Sequence, residues 1–196
     1  MKYLFIVQGE GRGHLTQAIS LSQMLRHHGH EVVEVLVGKS SNREIPSFFL
    51  EKIGAKVKTF ASPNFCYGRD HKKVKLAKSI LLNITVKKLR EYRKSVNLIH
   101  RHIQKMEPDV VINFYEILAG LVNLRFREHV PFVCIAHQFL MKHPDYQYGN
   151  GTRKEEILLR LNNTLCSIGA TKTLALSFYP LKDFYQERMA VVIDPK

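Results

Sequence analysis

Seven apolar stretches, separated by helical or loop segments, leave this chain few architectures to choose from. The first, residues 2–8 around Tyr3-Leu4-Phe5-Ile6-Val7, runs apolar without alternating, as a strand buried on both faces does. A glycine-rich turn follows, and a helix starts near His14. Its apolar positions Leu15, Ala18, Ile19, Leu21 and Leu25 keep helical spacing, and Gly29 closes it. The succession then repeats. Strands are expected over 31–38, 55–62, 109–114, 131–138, 171–178 and 189–194, and helices over 47–53, 72–105, 116–128 and 153–168. No low-complexity linker or internal repeat interrupts them. The alternation predicts one α/β domain over residues 1–196, a Rossmann-like doubly wound parallel sheet with helices on both faces. In such sheets ligands bind beyond the carboxyl ends of the strands. The loop 9–14, the stretch Asn113 to Glu116, and His137-Gln138 are therefore expected to meet at one crevice.

The chain has 196 residues, enough to bury a real core. Its cysteines, Cys66, Cys134 and Cys166, are odd in number and scattered, which argues against a disulfide framework or a structural zinc site and fits a reducing cytosol. Cys134 lies within a strand pattern and reads as core. No segment approaches the roughly 20 apolar residues of a membrane span. The net charge of +13 is unevenly spread. Between Arg69 and Lys105 stand twelve Lys or Arg and two acids, a balance of +10. Such a patch suits phosphate-bearing partners: nucleic acid, an anionic membrane, or a phosphorylated substrate. Lys72, Lys73, Lys75, Lys78, Lys87 and Lys88 flank the apolar "ILLNITV" of residues 80–86. That stretch reads either as a buried turn or as an apolar patch docking on anionic lipid.

The first turn, "QGEGRGH", invites a dinucleotide reading, but the spacing is GxGxG and His14 stands where the third glycine of that fingerprint belongs. The second strand ends Val37-Gly38-Lys39-Ser40, without the acid that would hold a ribose; Lys39 and Arg43 leave an NADP site open. No Walker loop is present, since no lysine and hydroxyl residue follow the glycines. His27, His28 and His30 gather at a helix end, where cations suit the helix dipole, so they read as structural rather than as metal ligands.

The chain resembles the N-terminal domain of the GT-B glycosyltransferases. The resemblance rests on "GEGRGHLTQAISLSQML" opening the chain, on "HGHEV" at 28–32, and on "EPDVVINFYEILAG" (107–120) followed by "VPFVCIAHQ" (130–138). Among that family it is most like the lipid-linked GlcNAc transferases of peptidoglycan synthesis and their uncharacterised bacterial and archaeal relatives. The resemblance implies one half of a GT-B fold, the acceptor-binding half of a nucleotide-sugar-dependent hexosyltransferase. The donor-binding C-terminal domain would lie outside residues 1–196, leaving this chain inactive alone.

The resemblance makes His14 the general base that deprotonates an acceptor hydroxyl, a task suited to an imidazole of pKa near 6.5. Relatives that steady this histidine with a carboxylate carry the acid after the fourth strand, nearer position 114; here that residue is Phe114 and the nearby acid is Glu116. Gly9, Glu10, Gly11, Arg12, Gly13 and Thr16 would contact substrate from the turn, their free N–H groups donating to phosphate. Asn113, His137 and Gln138 would do so from the strand ends. His14 could instead simply start a helix, and Glu10 and Arg12 could be solvated loop charges. No metal or organic cofactor is expected. The implied partners are a nucleotide sugar, a sugar or lipid-linked acceptor, an anionic membrane surface at the cytoplasmic face, and a second copy of the chain. Two alternatives remain: a GT-B-like nucleotide-sugar epimerase half, and a non-catalytic basic protein binding nucleic acid. The latter lacks the interleaved aromatics of a single-strand platform, having no Trp and only Tyr92 in the basic stretch.

Overall fold

The computed structural model describes residues 1–63, 85–144, 146, 153–177 and 189–193. Seven strands form one sheet: β1 (Lys2–Gln8), β2 (Glu31–Lys39), β3 (Val57–Ala61), β4 (Val110–Phe114), β5 (Phe132–Ala136), β6 (Lys172–Leu176) and β7 (Met189–Ile193). Their order is β3-β2-β1-β4-β5-β6-β7, and every neighbouring pair is parallel. The helices are α1 (Arg12–His27), α2 (Ser47–Lys52), α3 (Val86–Met106), α4 (Ile117–Phe126) and α5 (Arg153–Cys166). This is the doubly wound α/β sheet that the alternation predicts.

Period-two alternation on β1 sorts the core into two layers. Leu4 and Ile6 point into one cluster with Val96 and Ile99 of α3, Leu118 and Val122 of α4, and Cys166 of α5. Phe5 and Val7 point into the other with Leu15, Ala18 and Ile19 of α1 and Phe49 of α2. Cys134 is wholly buried in the first layer. On the same side the buried Glu34 of β2 is held by Lys58 at 3.2 Å and by His102 Nδ1 at 2.5 Å.

Local chemistry sets the ends of the elements. Gly29, at φ 74°, follows α1 in the left-handed conformation that favours glycine. Thr85 caps α3 by accepting from Lys88 N–H at 3.2 Å. On α3, Tyr92, Val96, Ile99 and Ile103 are buried, whereas Leu89 is 51% exposed. Residues 72–84, with Lys72, Lys73, Lys75 and Lys78, lie outside the described residues.

One boundary differs in kind. The strand expected over 131–138 stops at Ala136, and His137–Lys142 wind into a 3₁₀ helix that buries Phe139 and Met141. The β5–β6 ladder ends at Ala136–Ala175.

β1 lies between β2 and β4, and the chain turns to opposite directions across the sheet from it. That switch point opens a gap at the carboxyl edge, between the turn after β1 and the turn after β4.

Candidate functional site

A crevice of about 470 Å³ occupies this gap. Glu10, Gly11, Gly13 and His14 line it from the turn after β1, and Ser62 from the end of β3. Tyr115, Glu116 and Ile117 come from the turn after β4, His137 and Gln138 from the start of the 3₁₀ helix, and Asn162 from α5. The three segments expected to converge do share one cavity wall.

His14 is the third residue of α1 and only 7% exposed. Its ring stacks between Tyr115, at 5.5 Å between centroids, and His137, at 6.2 Å. Nε2 faces the Gln138 side-chain amide nitrogen at 3.4 Å. When that amide donates, Nε2 carries a lone pair and the ring proton sits on Nδ1. Nδ1 is buried beside the Gln17 side chain, one turn along the helix. Burial, reinforced by the neighbouring His137, lowers the His14 pKa to about 4, with Gln17 offsetting a little of the shift. The imidazole is therefore neutral at pH 7, and a weaker base in the unliganded fold than an ordinary pKa of 6.5 implies.

Glu116 is fully buried and caps α4. Its Oε1 accepts from Leu118 N–H at 3.1 Å and from the Ser62 hydroxyl at 2.6 Å. Oε2 has no partner among the described residues. Burial raises this carboxyl to about 7, against the lowering effect of the Ser62 and Leu118 hydrogen bonds. The carboxyl fills the space where residue 38 would carry a Cβ: an added methyl on Gly38 would overlap Glu116 and press on Phe60. Glycine at the end of β2 thus makes room for the acid. A direct hydrogen bond between Glu116 and His14 is not formed. They share the crevice, but the acid's bonded oxygen is committed to the helix cap and to β3.

The other turn residues divide by role. Gly9 is packed, not open. Its N–H donates to Gly38 O at 2.7 Å, and an added Cβ would strike that carbonyl and Val37. Gly11 and Gly13 have open space on their Cα. Glu10 lines the crevice while its Oε1 accepts from Ser40 N–H at 2.5 Å, anchoring the turn to the end of β2. Arg12 and Thr16 are exposed, and Thr16 spends its hydroxyl on Gly13 O at 2.8 Å. Asn113 needs correcting as a substrate contact. It is wholly buried, donates to Glu116 O and Cys166 O, and accepts from Glu116 N–H at 2.8 Å. Its work is to fold the turn that presents Tyr115 and Glu116.

The support for this site is what a reading of the sequence misses. Tyr115 adopts φ 61°, a left-handed conformation costing a non-glycine residue about 1–3 kcal/mol. Asn163 of α5 holds it, accepting from the Tyr115 hydroxyl at 2.6 Å and donating to Gln138 O at 2.9 Å. One amide thus bridges the two walls that flank His14. Asn162-Asn163 inside a helical pattern, unfavourable there by propensity, was the available signal. Among the described residues no group of three His, Cys, Asp or Glu is placed to hold a metal.

The same architecture recurs in solved structures at low identity. Acinetobacter baumannii MurG aligns over 96% of this chain and 44% of its own, at 14% identity and TM-score 0.50. Phytolacca americana UGT2, complexed with UDP-2-fluoro-glucose and pterostilbene, aligns over 89% and 47%, at 9% and 0.56. A Listeria monocytogenes protein described as a UDP-N-acetylglucosamine 2-epimerase aligns over 89% and 39%, at 12% and 0.51. The chain therefore spans less than half the length of these proteins, and the likeness is one of fold, the GT-B fold. No curated protein is detectably similar in sequence. The sequence profile of glycosyl transferase family 1 matches residues 1–192, nearly the whole chain, and the protein belongs to that family.

Proposed function

We propose that residues 1–196 form the acceptor-binding half of a glycosyltransferase that uses a nucleotide sugar as donor. The observation that carries this reading is His14: a neutral imidazole, with Nε2 facing Gln138, buried in the wall of the switch-point crevice. In the proposed step the acceptor oxygen bonds to the anomeric carbon as the bond from that carbon to the donor phosphate breaks. The nucleoside diphosphate leaves with that electron pair, and the acceptor proton passes to His14 Nε2. Gln138 orients the imidazole and gives way to the acceptor hydroxyl. Glu116, committed to Ser62 and Leu118, positions the turn rather than relaying the proton. The donor would be held by a second unit facing this crevice, and α3 would bring the acceptor's phosphate or lipid surroundings to its basic face.

The test is turnover in the complete enzyme with a nucleotide sugar and an acceptor, followed by release of nucleoside diphosphate. His14→Ala is expected to lose about 10²–10⁴-fold in turnover with the fold intact. Wild-type turnover in that variant at saturating substrate removes His14 from the mechanism. Release of nucleoside diphosphate with no acceptor present, accompanied by inversion at the sugar's C2, favours the epimerase alternative.

A further inference from the structure

A histidine acts as a base only from the tautomer that leaves a lone pair on the nitrogen facing its substrate. The partner of the other nitrogen decides which tautomer that is. The usual partner is a carboxylate. Glu116 does not serve, because its Oε1 is taken by Ser62 and by Leu118 N–H. His14 has another neighbour on its own helix. Gln17 stands three residues further along α1, on the same face. Its side chain hydrogen-bonds the His14 ring. Gln17 Oε1 and His14 Nδ1 are both buried, and no other group among the described residues bonds to either.

The ring's freedom is limited in two ways. It stacks against Tyr115 and His137 at interplanar angles of 19° and 13°, which fixes its plane. Stacking does not tell one ring nitrogen from the other, so hydrogen bonds have to. At Nε2 stands the Gln138 amide nitrogen, 3.4 Å away, which can only donate; Nε2 therefore presents its lone pair. Gln17 Oε1 can only accept, so Nδ1 carries the proton. A neutral imidazole has one ring proton, and both glutamines place it on Nδ1. The opposite tautomer would set a lone pair against the Gln17 carbonyl and two N–H groups against each other at Gln138. Buried polar groups are nearly always paired, and only the first arrangement pairs these.

We propose that Gln17 is a positioning residue for His14, its side-chain carbonyl accepting the Nδ1 proton and so keeping the Nε2 lone pair free. The catalytic part of this inference rests on reading His14 as the base; the tautomer does not. When the acceptor proton passes to Nε2, the ring becomes a cation with both nitrogens protonated. The Nδ1 proton stays on His14, because an amide oxygen is far too weak a base to take it. Gln17 orients the ring and relays nothing. Being uncharged, it also lacks the attraction by which a carboxylate would favour the cation, in keeping with a ring that is neutral at pH 7.

The experiment is ring-nitrogen NMR of the isotope-labelled protein at pH 7, where the two neutral histidine tautomers give distinct patterns. The wild type is expected to show His14 protonated on Nδ1. Gln17→Met keeps the bulk and removes the acceptor, and is expected to move most of the ring population to the form protonated on Nε2. Gln17→Glu supplies an acceptor again. It is expected to keep the wild-type tautomer and to raise the His14 titration midpoint by about 1–3 units, as an adjacent opposite charge does. In the complete enzyme, Gln17→Met is expected to lower kcat by at least about tenfold with KM unchanged, since a histidine base in the wrong tautomer loses up to about 10⁴-fold. A wild-type ring protonated on Nε2 overturns the proposal, as does a Gln17→Met ring that keeps its tautomer. An unchanged kcat in Gln17→Met, with the tautomer shifted, overturns the positioning role. Ring NMR needs no turnover, so a failure of His14 as the base, read from His14→Ala, is a separate result.

Discussion

His14 and Glu116 titrate in opposite senses around the same crevice, and their effects on stability can be separated. His14 falls from its ordinary 6.5 to about 4, so between those values the unfolded chain binds the proton and the folded chain does not. Stability from this group is complete above pH 6.5 and is lost as pH falls toward 4, by roughly 3 kcal/mol. Glu116 rises from 4.5 to about 7, so the folded chain holds the proton that the unfolded chain releases. Its contribution is complete below pH 4.5 and is lost as pH rises toward 7, by a similar amount. Between pH 4.5 and 6.5 the two slopes oppose. Glu116→Gln is therefore expected to make stability climb with pH between 4 and 6.5 more steeply than in the wild type, and His14→Gln to make it fall between 4.5 and 7. Urea denaturation across that range checks both; a Glu116→Gln profile parallel to the wild type removes the carboxyl's titration from the account. At this scale the sequence shows which residues gather, because strand ends and turn glycines are legible one residue at a time. It does not show that Asn113 would be consumed by its own turn, since that depends on Cys166, 53 residues away.

Elements are legible where local and tertiary forces agree. α1 reads correctly because a glycine turn, a helical stripe and a closing glycine all mark it. The 3₁₀ helix at 137–142 is missed because "PFVCIAHQ" carries no breaking residue to end the strand at Ala136. Two element-level outcomes follow. On α4, an added Cβ at Gly120 would collide with Leu165 O of α5, so those helices touch backbone to backbone. Gly120→Ala is expected to cost about 1–3 kcal/mol in denaturant unfolding, as overpacking generally does; an unchanged midpoint shows the helices part freely. On α3, Lys87, Arg90, Arg93 and Lys94 are exposed together with Val86, 68% exposed, and Leu89. This surface is proposed to dock on anionic lipid, with co-sedimentation on anionic vesicles that weakens as salt rises. Equal binding to neutral vesicles, insensitive to salt, counts against it. No helix among the described residues is long and apolar enough to cross a membrane.

The proposed transfer needs two reactants held in line, and the crevice at the carboxyl edge of the sheet offers one wall for them. Positioning of that kind is worth roughly 7–11 kcal/mol, and an open crevice on one face cannot supply it. Residues 1–196 taken alone are expected to bind acceptor but not to transfer sugar; steady transfer by the purified chain, with no second unit present, overturns this. Leu124 of α4 and Ile157 and Leu161 of α5 are apolar side chains 60%, 58% and 52% exposed. One local fit has consequences for reading other chains of this fold. The Glu116 carboxyl reaches past β1 to sit over the bare Cα of Gly38 and tie itself to Ser62. An acid two residues beyond the fourth strand and a hydrogen at the end of the second are thus one steric fit, written at positions 38 and 116. Lineages should exchange them together: a side chain acquired at 38 demands a smaller residue at 116. Gly38→Ala should then damage this protein less when Glu116→Ala accompanies it than when it stands alone.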